Sequence, residues 1–151
     1  MKSGRIIGII GGILTMVGVF LPWATVSGGT LIGSVSLLGV LAFPFGILAM
    51  IFGIIGLILV AIGKRGMCIG ALILGILAFI MILLSFALLS WLAELVAGIG
   101  GGLVEFTVDF GIYIAIVGSI ILIIGSGLAM AQAEKPGMQP VPAAPIPPPQ
   151  P

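Results

Sequence analysis

The sequence predicts an all-α integral membrane protein: an antiparallel four-helix transmembrane bundle with a short outer β-hairpin and a disordered proline-rich tail. Three observations carry this expectation. The chain of 151 residues is 61% hydrophobic and only 6% charged, which places it far outside the soluble globular range. Charges and turn signals divide it into four apolar stretches of spanning length. The chain has 25 glycines, and many of those inside the stretches recur at steps of three and four, the spacing that lets membrane helices approach closely.

The four spans cover about 4–21, 44–62, 67–92 and 110–131, and together they make a membrane domain over 1–131. A hydrocarbon core of about 30 Å needs about 20 helical residues, with a range of about 17–25, so each stretch is long enough. Pro44 is expected in the first turn of the second span, where its missing donor costs nothing. If that helix instead begins at Leu37, Pro44 kinks it. The turn Gly63-Lys64-Arg65-Gly66 is short, so spans two and three form an antiparallel helical hairpin.

The outer loops cover 22–43 and 93–109. In the first, Ala24 to Val26 and Leu31 to Ser36 are small and β-branched around Gly28-Gly29, which predicts a short hairpin. In the second, Trp91 to Ala97 is expected as an interfacial helix, broken by Gly98 to Gly102, with Val104 to Val108 extended or coiled. The residues 132–151 hold eight of the ten prolines and are expected to be extended, mobile and cytoplasmic. Pro142, Pro145 and Pro148 also have the spacing of a ligand for an aromatic groove, so a dedicated partner is the alternative to a plain disordered tail.

Charge placement sets the orientation. Lys2, Arg5, Lys64, Arg65 and Lys135 all fall on the side of the N-terminus, and basic residues near span ends mark the cytoplasmic side. Both termini are therefore expected in the cytoplasm of a multi-pass protein of the cell membrane. Glu94, Glu105 and Asp109 fall on the other side. Trp23, Trp91 and Tyr113 sit where interfacial anchors belong. Lys2 and Arg5 before an apolar run also fit a signal peptide cleaved near Ala24. The retained-span reading is preferred because the run carries its own small-residue seam.

That seam recurs in every span. Gly4, Gly8, Gly11, Thr15 and Gly18 step by four and three in the first, and Gly46, Ala49, Gly53 and Gly56 in the second. Cys68, Ala71, Gly75 and Ala78 continue the pattern in the third, and Gly111, Ala115, Gly118, Gly125 and Ala129 in the fourth. Such a step keeps one helix face towards a neighbour. Small side chains there give van der Waals packing where lipid offers no hydrophobic drive, so the seams are expected to face inward.

Chemistry at depth needs ionisable groups, and apart from Arg5 at the very start of the first span no Asp, Glu, Lys, Arg or His lies in any span. A glycine-rich chain of four spans resembles the duplicated proteolipid subunits of rotary ATPases. That family's proton-binding carboxylate is missing from Val117 to Ile123, so ion carriage is not implied. Small multidrug transporters carry a glutamate in their first span, and Ile6 to Leu21 has none. With no histidine and one cysteine, neither a usual catalytic triad nor an all-protein zinc site is available. No cofactor, metal or catalytic residue is expected. A net charge of +1 gives no surface for nucleic acid.

Leu21-Pro22-Trp23, followed by a small-residue loop, is similar to the start of claudin-like four-span proteins. It also resembles uncharacterised prokaryotic four-span proteins with a PW-x-x-x-S-G loop, and the layout resembles that of tetraspanins. The resemblance implies junctional or scaffolding roles. The outer loops contain no cysteine, so the disulfide frameworks of those families are not carried over. The function expected is non-enzymatic: an accessory subunit or tetraspan-like organiser that packs against partners in the lipid bilayer, either copies of itself or other membrane proteins. The alternative is a small channel or transporter for an apolar or uncharged solute, lined by Thr15, Ser85 and Ser119.

Overall fold

The computed structural model describes residues 3–28, 33–39, 44–99 and 104–133. Lys2, Lys135 and the proline-rich segment lie outside the described residues. In chain order the elements are α1 (Ser3–Phe20), β1 (Pro22–Gly28), β2 (Gly33–Leu38), α2 (Phe45–Ile62), α3 (Arg65–Ile99), β3 (Val104–Val108) and α4 (Gly111–Ala133). The described residues are mostly helical, and the four helices among them are each long and apolar enough to cross a membrane.

The helix boundaries follow from local chemistry. Pro44 caps α2, and its carbonyl accepts the Leu48 amide at 3.2 Å. A proline there leaves no intrahelical donor missing. Leu37 and Leu38 belong to β2, so α2 does not extend back through Pro44 and has no kink there. At its other end Gly63 takes φ 70°, a left-handed cap that returns its amide to Leu59. The chain then enters α3 within two residues. At the end of α4, Gln132 accepts the Gly4 amide at 3.3 Å and donates to Ser3 Oγ at 2.9 Å. These bonds serve the otherwise unpartnered first turn of α1 and carry α4 two residues beyond the expected end.

Two expectations are corrected. The segment Trp91 to Ala97 is not a separate interfacial helix: α3 runs unbroken for 35 residues, about 52 Å at ~1.5 Å per residue. Leu92, Ala93, Glu94 and Leu95 are strong helix formers, and a helix has no reason to stop where hydrocarbon ends. The hairpin is also larger than expected, because β3 joins it to make a three-stranded sheet in the order β2-β1-β3. Both pairings are antiparallel; Val26 stands opposite Val35 on one side and Phe106 on the other. Along β3, Glu105 and Thr107 are exposed while Phe106 and Val108 are half-buried, the alternation of a one-sided strand.

The tightest packing is between α1 and α4. A Cβ on Gly4 would lie 2.5 Å from the Ala129 amide nitrogen. One on Gly11 would collide with the backbone of Leu122, one on Gly18 with that of Ala115, one on Gly118 with that of Thr15, and one on Gly125 with that of Gly8. The two backbones therefore touch along their length in antiparallel register. The contacts of α2 and α3 are looser and run through side chains. A Cβ on Gly53 would meet Thr15 Cγ2 at 3.4 Å, one on Gly56 would meet Leu122 Cδ2 at 3.3 Å, and one on Gly75 would meet Ile123 Cγ1 at 3.1 Å. Gly8 is packed against Val60 as well as Gly125, and Gly46 is buried.

Candidate functional site

The sheet end of the bundle is organised by Trp23. The register of β1 against β2 shifts between Pro22 and Ala24, so Trp23 is the extra residue of a bulge. A bulge re-aims a side chain, and this one turns the indole into the bundle. Trp23 is 1% exposed, and its Nε1 donates to the Gly18 carbonyl at 2.8 Å. That carbonyl lies in the last turn of α1, where no helical donor remains for it. The Trp23 carbonyl accepts the Asp109 amide at 2.9 Å, and the ring rests on Gly39, where a Cβ would collide with it. Trp23 is therefore not an anchor at the surface: it fastens β1, the start of α4 and the residue after β2 to the end of α1. Trp91 and Tyr113 are exposed, at 58% and 51%, and Tyr113 meets Phe86 edge-on with ring centroids 6.4 Å apart.

The acidic residues of this end do not form a cluster. Asp109 accepts a hydrogen bond from Thr25 Oγ1 at 2.5 Å and so ties β1 to the entry of α4. Glu94 and Glu105 are exposed. Among the described residues no group of three His, Cys, Asp or Glu could hold a metal ion.

Thr15, Ser85 and Ser119, the residues expected to line a path, are buried. Thr15 donates to the Gly11 carbonyl at 2.9 Å, Ser119 to Ile116 at 2.8 Å and Ser126 to Leu122 at 2.6 Å, all within their own helices. The buried Ser85 Oγ has no hydrogen-bond partner among the described residues. Two shallow cavities, about 300 and 250 Å³, lie on the outside of α1 and α4. The first is lined by residues such as Ile13 and Phe20, the second by residues such as Leu14 and Tyr113. Neither is lined by Thr15, Ser85 or Ser119.

The opposite end is the basic one. Arg5 Nη2 donates to the Gly63 carbonyl at 2.8 Å, and its guanidinium covers the Cα of Gly63. A cation at the carbonyl end of α2 is favoured by the helix dipole. Lys64 and Arg65 are exposed beside it. Thus Arg5, Lys64 and Arg65 gather at the turn end, while Glu94, Glu105 and Asp109 sit at the sheet end.

Sequence reasoning missed the bulge at Trp23, the role of Gly39 and the stitch made by Gln132. The third strand had a readable signal in the alternation of VEFTV. The indole bond had none, since a reach from Trp23 back to Gly18 depends on how the chain leaves the helix. What remains accessible is the sheet end, the long arm of α3, and the apolar flanks of all four helices. Comparison of the chain with protein-family models and with curated proteins finds no match.

Proposed function

We propose that this protein is a non-enzymatic, multi-pass membrane protein that acts by packing against partners, as an accessory subunit or tetraspan-like organiser. The observation that carries this reading is the backbone-to-backbone closure of α1 on α4. It spends the small-residue seams inside the molecule and leaves isoleucine and leucine on the outside of every helix, among them Ile10, Ile58, Ile73 and Ile124. A surface of that kind is expensive in water and suits lipid or another helix.

The bundle lies in the cell membrane with the Gly63 turn and both termini in the cytoplasm, and the sheet faces outward. The separation of Arg5, Lys64 and Arg65 from Glu94, Glu105 and Asp109 supports that orientation. The register of α1 against α4 supports a retained first span, because a cleaved chain would lose the helix that α4 packs on most closely. Mild extraction from native membranes followed by mass spectrometry of the intact assembly tests the reading. Recovery with a partner, or as more than one copy, is the expected result. A bare monomer at every detergent ratio would count against it.

A further inference from the structure

The Gly63 turn gathers more positive charge than the fold itself uses. Arg5 reaches it from α1, Lys64 stands in the turn, and Arg65 opens α3. Lys64 and Arg65 are exposed, and Arg5 is half-buried. Among the described residues the carboxylates, Glu94, Glu105 and Asp109, are all at the sheet end, and Glu134, just past α4, lies outside the described residues. Arg5 and Lys64 therefore have no counter-charge among the described residues.

Arg5 is held in one pose. Its Nη2 donates to the Gly63 carbonyl at 2.8 Å, and the guanidinium lies where a Cβ of residue 63 would stand, so glycine is needed there for space as well as for its φ of 70°. That bond uses one of the five N–H donors of the side chain, and the other four meet no acceptor among the described residues. A planar fork with spare donors matches the oxygens of a phosphate, which it can bind through two parallel bonds. Lys64 follows Gly63 directly, so its flexible ammonium can reach an anion seated on that fork.

The neighbouring surface indicates what carries the phosphate. Ile6 follows Arg5, Ile62 precedes Gly63 and Ile69 lies one turn beyond Arg65, and all three are exposed, from 42% to 45%. A free phosphate ion has nothing to place on them, whereas a lipid sets its head group on the cations and its acyl chains along the isoleucines. Given the membrane reading above, we propose that the Gly63 turn is a head-group site for an anionic phospholipid, with Arg5 and Lys64 holding the phosphate. Basic residues gathered between helix ends at the membrane surface suit such head groups. A zwitterionic phospholipid is the poorer fit, because its own cation would have to lie beside Lys64.

Native mass spectrometry of the full chain in detergent micelles, titrated with phosphatidylglycerol or phosphatidylcholine of the same acyl chains, tests this. Phosphatidylglycerol is expected to be retained in preference. Lys64→Gln, at an exposed position outside any helix, keeps the fold and is expected to weaken phosphatidylglycerol about fivefold. Arg5→Gln, whose amide can still donate to Gly63, is expected to do at least the same. Glu105→Gln, which shifts the net charge by the same amount at the sheet end, is expected to change nothing. Equal retention of the two lipids, or a preference that neither Lys64→Gln nor Arg5→Gln lowers, would overturn the site. Displacement of phosphatidylglycerol by an equal concentration of inorganic phosphate would overturn the lipid as the source. A chain that stays in solution without detergent would instead defeat the membrane reading, before any lipid is added.

Discussion

The indole nitrogen of Trp23 donates to the carbonyl of Gly18 at 2.8 Å, so a residue of the first strand caps the helix that precedes it. The bond and the ring make separate contributions. Trp23→Phe keeps most of the packing and strands one buried carbonyl, which costs about 1–3 kcal/mol. Trp23→Ala also empties the space between α1 and Gly39, for about 3–5 kcal/mol. Unfolding curves in detergent are expected to rank wild type, Phe and Ala in that order, and equal midpoints would show that the indole fastens nothing.

Glycines in the two kinds of seam should respond differently to one added methyl group. Gly11→Ala drives a Cβ into the backbone of Leu122, and neither helix can yield without opening the α1–α4 contact. The expected loss is about 3 kcal/mol, at the upper end of overpacking costs. Gly53→Ala meets Thr15 at 3.4 Å, an ordinary contact, and gains up to about 1 kcal/mol of helix propensity. Thermal midpoints of the two variants measured side by side check the contrast.

The sequence was most legible where periodicity governs. Gly8, Gly11, Gly18, Gly53, Gly56, Gly75, Gly118 and Gly125 share helix faces because steps of three and four are the period of one face, and those positions are buried. Periodicity does not say which two seams meet as bare backbone. That depends on pairing: glycines of α1 face glycine, alanine or a backbone edge of α4, whereas Gly53 faces Thr15. It also does not say where a helix ends once its apolar stretch ends, so α3 passes through Trp91 where a break was expected. Trp23 was misplaced for a related reason. Its position after a span is that of a surface anchor, and only the bulge between Pro22 and Ala24 turns it inward.

At the turn end, Gly63 combines a left-handed backbone with a cation laid over it. Gly63→Ala costs about 1–2 kcal/mol for the conformation and also displaces the Arg5 guanidinium. Arg5→Ala removes a half-exposed charge-assisted bond and is expected to cost about 1 kcal/mol. The double variant should cost less than the sum of the two, because both break the same contact. Additive losses in a double-mutant cycle would separate the two residues.

Orientation is open to chemical labelling. Cysteines at Glu105 and Lys64, both exposed positions at opposite ends, are expected to react with an impermeant maleimide from opposite sides of sealed cells. Only Glu105→Cys should be labelled in intact cells, and Lys64→Cys only after permeabilisation. Labelling of Lys64→Cys in intact cells would invert the topology.

The most direct measurement of the central claim, that the molecule works through its outer surfaces, is the mass of the assembly released from native membranes. A chain of 15.3 kDa that packs against partners is expected to appear at a multiple of its own mass or together with another membrane protein. A single 15.3 kDa chain with nothing attached, under the gentlest extraction that solubilises it, would contradict the claim.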